Sequence, residues 1–164
     1  MYTPSEILSQ LHYRIRASLK QRDSRNSDGM DLSLCRIQTQ PDGLIHLEFS
    51  GAKSSFYFYT SGELHELRGD RKSVGGWQRE VERTFTNHSL KLVPDDTLYF
   101  FTDGYIDASS PDRKKLGYKK LKEVLHIHQS GSLKEQGAAL LETLYQHQGS
   151  SEQRDDITLL GVKL

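Results

Sequence analysis

Acidic residues at the ends of apolar strands are where this sequence could do chemistry. Thr97-Leu98-Tyr99-Phe100-Phe101 is a run of β-prone residues that passes through Thr102 into Asp103-Gly104, so a strand ends by presenting a carboxylate and a flexible backbone. A second acidic step, Arg154-Asp155-Asp156, leads into Ile157-Thr158-Leu159-Leu160-Gly161-Val162. There the carboxylates stand at the start of the strand. If the two strands are antiparallel neighbours, Asp103 and Asp155 come to the same end of one sheet. An all-oxygen cluster of that kind suits a hard divalent cation such as magnesium or manganese. The plainer alternatives are an Asp-Gly turn and a solvated acidic pair before a strand. Asp107 is a loop acid with a weaker claim.

Other chemistry-bearing residues do not fall into a pattern. The seven histidines show no metal-ligand spacing, and His126 and His128, two apart on a helix, do not share a face. The single cysteine, Cys35, lies inside a strand and reads as a buried, inert thiol.

The elements that must position these residues are punctuated clearly. Thr3, Pro4 and Glu6 form a capping box that opens a helix with Ile7, Leu8, Leu11, Ile15 and Leu19 at helical spacing. Gln21 to Asp28 is a polar linker. Met30 to Ile37 and Leu44 to Phe49 predict a hairpin around Pro41-Asp42-Gly43, and Phe56 to Tyr59 with Glu63 to Leu67 a second one around Ser61-Gly62. Gly69 to Arg83 lacks periodicity and predicts a long loop; Phe85 to Leu92 predicts a strand before the turn at Pro94-Asp95-Asp96. Ser109 to Lys115 is a polar, basic loop. Tyr118 to His128 predicts a helix, and the capping box Ser132 to Glu135 opens another that stops at Gly149.

Composition bounds the rest. The 164 residues predict one domain, 1–164, and 35% hydrophobic with 27% charged is a globular balance. Lys plus Arg and Asp plus Glu are 22 each, which gives no basic surplus for nucleic acid or an anionic membrane. One cysteine allows no intramolecular disulfide, no apolar run reaches the ~20 residues of a membrane span, and the N-terminus does not read as a signal peptide. The expected compartment is the cytoplasm.

The two acidic segments, in this order, resemble the C-terminal part of the metal-dependent protein phosphatases of the 2C type, and more closely their bacterial SpoIIE/RsbU branch. The matching residues are Thr102-Asp103-Gly104, Asp107-Ala108 and Asp155-Asp156-Ile157-Thr158, with Gly29-Met30-Asp31, Gly51-Ala52, Gly69-Asp70 and Val74-Gly75-Gly76 upstream in the expected order. The resemblance implies an α/β (α+β) fold in which antiparallel β-sheets pack between helices. It places metal positions at Asp103, Gly104, Asp155 and Asp156, with Asp155 the ligand of the pair and Asp156 serving the backbone or the surroundings. It further implies Mn2+ or Mg2+, two ions in complete members, and a phosphorylated regulatory protein as substrate, often an antagonist of an anti-sigma factor.

The sequence departs from that pattern in one respect. Complete members carry an earlier Gly-Asp-x-x-Asp motif whose acid bridges both metals, and no such motif occurs here. Asp28-Gly29 and Met30-Asp31 stand in the wrong register for it and read as structural. The expectation is therefore a phosphatase domain without its first metal motif, inactive as this chain alone and prone to self-association along uncovered strand edges. The alternative is a non-catalytic phosphatase-like module that binds a regulatory protein.

Overall fold

The computed structural model describes residues 2–24, 26–77, 80 and 82–164. Its elements are α1 (Pro4–Ser18), β1 (Gly29–Met30), β2 (Leu32–Thr39), β3 (Ile45–Ala52), β4 (Ser55–Thr60), β5 (Glu63–Arg68), β6 (Val74–Gly75), β7 (His88–Leu92), β8 (Thr97–Phe101), α2 (Asp103–Asp107), α3 (Gly117–Ile127), α4 (Leu133–Gln148) and β9 (Leu159–Lys163). This is the mixed α+β architecture with antiparallel sheets that the resemblance implies. The chain forms two compact units, Met1–Phe56 with Glu66–Pro94, and Tyr57–His65 with Asp95–Leu164. Among the described residues no helix is long and apolar enough to cross a membrane.

In the first unit, α1 begins as its sequence demands. Glu6 N donates to Thr3 Oγ1 (3.3 Å) while Thr3 N donates to Glu6 Oε2 (2.7 Å), so two amides that have no partner within the helix are satisfied reciprocally. The buried face differs from the spacing expectation: Ile7 and Leu19 are 42% and 44% exposed, whereas His12 is fully buried. Leu8 packs with Ala52, Val74 and Phe85, and Leu11 and Ile15 join that cluster. His12 is inside because Nδ1 accepts a hydrogen bond from Gly75 N at 2.9 Å. A buried polar group with a partner costs little.

The expected polar linker after α1 is tied down in its described part. Gln21 is buried, donating to Asn26 Oδ1 (3.0 Å) and the Asp28 carbonyl (2.7 Å) and accepting from Gly76 N (2.9 Å). Arg25 lies outside the described residues. The β2–β3 hairpin forms as expected, in register from Leu32↔Ala52 to Thr39↔Ile45, and β7 adds to β3 from Ile45↔Leu92 to Phe49↔His88. The third strand is shorter than Phe85 to Leu92 predicted. The region expected as a loop, Gly69 to Arg83, contains β6, which pairs with β1; residues 78, 79 and 81 of it lie outside the described residues. Arg83 anchors this stretch, donating to the carbonyls of Ser73 (2.9 Å), Gly75 (3.3 Å) and Trp77 (3.0 Å).

Gly51 and Gly69 have one physical reason. Asp70 N donates to Gly51 O at 2.8 Å, and a Cβ at Gly51 would lie 2.2 Å from Ser54 O, one at Gly69 2.4 Å from the same atom. Backbone meets backbone there, with no room for a methyl group. Asp70 then holds Thr86, accepting from its amide at 2.7 Å and its hydroxyl at 3.1 Å.

The four-stranded sheet runs β5-β4-β8-β9, and the second unit contains β8, β9 and the parts of β4 and β5 that fall within Tyr57–His65. Buried Tyr57 and Tyr99 of this sheet pack with Leu121, Val124 and Leu125 of α3 and Leu140 and Leu144 of α4. Each aliphatic side chain buried this way contributes roughly 1.5–3 kcal/mol. The second capping box closes as the first does, Ser132 N donating to Glu135 Oε2 at 2.7 Å and Glu135 N to Ser132 Oγ at 3.3 Å. That hydrogen bonding holds the Glu135 carboxyl below its ordinary value.

Two glycine substitutions separate close approach from propensity. Gly51→Ala is expected to destabilise by about 1–3 kcal/mol through overpacking, whereas Gly137→Ala, in the interior of α4 with open space around it, should stabilise by about 0.5–1 kcal/mol. Urea unfolding followed by circular dichroism measures both; a neutral Gly51→Ala would show that the crossing tolerates a side chain.

Candidate metal centre

The strand preceding Asp103 and the strand following Asp155 are antiparallel neighbours. β8 and β9 pair from Thr97↔Lys163 to Phe101↔Leu159. Beyond the last pair the register continues through one backbone bond and one side chain. Thr102 N donates to Thr158 O (3.0 Å), Thr158 N donates to Thr102 Oγ1 (2.9 Å), and that hydroxyl donates to Asp156 O (2.9 Å). One threonine hydroxyl thus uses its proton and a lone pair to bind both sides of the segment that carries the second acidic step. Because it is engaged there, it does not cap the following helix.

Asp103 does not start a turn. It opens α2, a short helix whose Gly104, Tyr105 and Ile106 are buried. Tyr105 fixes this helix: its ring is fully buried and its hydroxyl donates to Leu140 O at 2.9 Å. Burial pushes the phenol up to about 12, so it is a proton donor at all ordinary pH. Gly104 explains how α2 and the second acidic segment come so close. A Cβ at this position would lie 2.4 Å from Asp156 O and 3.2 Å from Ile157 Cγ1.

Asp103, Asp155 and Asp156 are all exposed, and among the described residues none of them pairs with a basic side chain. Asp155 Oδ1 accepts from Asp156 N at 2.8 Å, which turns the backbone before β9. Asp107, at the end of α2, is instead paired with Lys115 at 2.8 Å. Asp28 and Asp31 lie in the first unit, accepting from Asn26 and from Ser73 Oγ (2.8 Å) respectively. The donor set at Asp103 and Asp155 fits a hard divalent cation in kind, being exposed carboxylate oxygen, of which Asp155 Oδ1 already accepts one backbone hydrogen bond. In number it is incomplete: among the described residues no three His, Cys, Asp or Glu side chains are grouped to hold an ion.

A profile of the family described as Stage II sporulation protein E (SpoIIE) matches residues 1–164. The chain belongs to the SpoIIE family. It is 33% identical over 113 residues to Protein IcfG of Synechocystis sp., a match that covers 69% of this chain and 17% of IcfG. Among solved structures, the SiaA-PP2C domain of Pseudomonas aeruginosa superposes with a TM-score of 0.80 at 29% identity, covering 99% of this chain and 61% of that one. The SpoIIE phosphatase domain of Bacillus subtilis, in its Mn-presoaked form, gives a TM-score of 0.56 at 16% identity over 97% of this chain and 72% of that one, a likeness of fold. The chain thus spans less than two thirds of IcfG and of the SiaA domain. The two acidic segments on which the sequence resemblance rests stand at one sheet end. Thr102 and Thr158 entered the sequence reading only as members of the matching segments; what it missed is that they bond to each other, each sitting one position past the last β8–β9 pair.

Two measurements follow from this geometry. Gly104→Ala is expected to push the two acidic segments apart and to cost about 1–3 kcal/mol, read as a lowered Tm and faster exchange of the Thr102 and Thr158 amides; unchanged exchange would mean that Gly104 is not the contact that matters. Burial pushes the Cys35 thiol up to about 12. Its reaction with Ellman's reagent at pH 8 should therefore be at least about a hundredfold slower in the native chain than after denaturation, and equal rates would contradict the inert reading.

Proposed function

We propose that the second unit carries part of the metal centre of a protein phosphatase that acts on phosphoserine or phosphothreonine of a regulatory protein in bacterial signalling, in the cytoplasm. The observation that carries this reading is the β8–β9 register with its Thr102 latch, which keeps Asp103 and Asp155 at one end of one sheet. Asp103 and Asp155 would hold Mn2+ or Mg2+, with Gly104 offering its backbone and Asp156 orienting Asp155 through its amide. Such an ion, when bound, supplies Lewis-acid stabilisation of phosphoryl oxygens and an activated water. The chain's own part is placement. α2 holds Asp103 rigid through Tyr105, and the threonine latch prevents the Asp155 segment from drifting. An antagonist of an anti-sigma factor is the substrate type that the family resemblance favours.

One observation favours a second reading. The described residues supply no three-ligand group, so these residues would serve equally in a phosphatase-like module that binds a regulatory protein without turnover.

Manganese titration followed by paramagnetic line broadening tests the site. Broadening is expected to centre on the amides of Thr102, Gly104 and Ile157 and to vanish in Asp103→Asn and Asp155→Asn; broadening that survives both substitutions means the ion binds elsewhere. These 164 residues by themselves should hydrolyse p-nitrophenyl phosphate negligibly, because two-metal chemistry needs a bridging carboxylate. A manganese-dependent turnover abolished by Asp103→Ala would show that another acid, such as Asp107, takes the bridging place.

A further inference from the structure

Next to Asp155 the surface of the second unit is hollowed into two clefts. One, of about 270 Å³, runs from Gly104 and Asp155 past Arg154 to Ser109. The other, of about 200 Å³, continues between Ser110, Arg113 and Ser151. They share Ser109, Glu152 and Arg154 in their walls and so form one elongated groove that starts at the acidic site. One wall is a closed loop. Ser110 N donates to Lys114 O (2.9 Å), Arg113 N to Ser110 O (2.8 Å), and Ser109 bridges to Lys115. From α4, His147 Nε2 contacts Lys114 O at 2.9 Å.

The charges in this groove are unevenly matched. Lys115 is neutralised by Asp107 at 2.8 Å. Arg154 and Arg113 carry no ion pair or side-chain hydrogen bond among the described residues. In the second cleft Glu152 is the one carboxylate beside Arg113 and Arg154, which leaves a surplus of one positive charge there, whereas the first cleft also carries Asp155; the second cleft thus favours a single acidic side chain over a polyanion. No aromatic ring lines either cleft, which leaves no stacking surface for a nucleotide base. Guanidinium groups with serine hydroxyls at intervals are the chemistry that grips carboxylates along an extended backbone.

We propose that this groove binds the peptide flanking the phosphorylated residue and that Arg154, with Arg113, selects an acidic side chain there. The inference rests on the phosphatase reading of the neighbouring carboxylates and adds the feature of the substrate that is recognised.

The test is fluorescence anisotropy with labelled peptides that differ only in carrying glutamate or glutamine beside one serine, each with and without phosphate. The chain is expected to bind the glutamate peptide about tenfold more tightly, a difference of about 1.4 kcal/mol, in both phosphorylation states and more weakly as salt rises. Arg154→Glu should remove the preference, Arg113→Glu should reduce it, and Arg154→Lys, which keeps the charge without the fork, should retain part of it. Circular dichroism confirms that each variant is folded. Equal binding of the glutamate and glutamine peptides by the unmodified chain overturns the proposal, as does a preference that survives Arg154→Glu combined with Arg113→Glu. A glutamate preference that persists while manganese has no effect on the phosphorylated peptide would sink the metal reading and leave the groove standing.

Discussion

The second unit depends on a single hydroxyl used twice. The paired residues of β8 and β9 end at Phe101↔Leu159, and past that point one backbone bond, from Thr102 N to Thr158 O at 3.0 Å, is all that the main chains supply to hold the two segments together. Thr102 Oγ1 adds two more bonds there, accepting from Thr158 N and donating to Asp156 O. A hydrogen bond of this type contributes only about 0.5–1.5 kcal/mol net, so the latch adds little to global stability. Its effect is local: it converts a fraying strand end into a fixed platform from which two acidic segments project. Serine could make the same bonds, but the β-branched side chain has fewer rotamers to give up in an extended segment.

The platform is held from behind by a polar contact inside an apolar core. Tyr99 and Tyr105 both lie in the α3/α4 cluster, and each hydroxyl finds a partner on α4, Gln136 Oε1 at 2.8 Å and Leu140 O at 2.9 Å. An unpartnered buried phenol would cost about 1–3 kcal/mol, so the two rings have one comfortable depth and orientation. Tyr105 is two residues from Asp103 and Tyr99 four residues before it. The position of the carboxylate along the sheet axis is therefore set by where two tyrosine hydroxyls meet α4, a longer-range constraint than the Asp-Gly dipeptide suggests.

Those contrasts explain what was legible in the sequence. Both capping boxes, the β2–β3 hairpin and the β8–β9 pairing could be read because each depends on residues a few positions apart or on an alternation that one strand displays by itself. Asp103 as a helix start could not, because Asp-Gly favours turns locally and only the burial of Tyr105 and Ile106 overrides that preference. His12 was hidden for the same kind of reason. An apolar stripe through Ile7 and Leu19 is the better pattern, yet Gly75 N, sixty-three residues away, supplies a partner that makes a buried imidazole acceptable. The order around Gln21 likewise comes from Gly76. Of the candidate site, the sheet end that gathers Asp103 and Asp155 was readable, whereas the groove walls were not, since Arg154 and Arg113 are distant in sequence and neither belongs to a regular element.

The exposed carboxylates themselves need no compensation from the fold. Asp103, Asp155 and Asp156 remain in water, where an ionised group carries no burial penalty, so the chain can present them without a cation bound. What a loosely hydrated pair lacks is affinity: two carboxylates leave most of the coordination of a hard cation to water. Rigid backbone on both sides then matters more than additional charge, because an ion held by few ligands is lost through their motion. The close approach at Gly104 supplies that rigidity, bringing the α2 backbone against Asp156 and Ile157. On the proposed metal reading, a chain built this way holds the geometry of its acidic end constant whichever oxygen ligands complete the coordination.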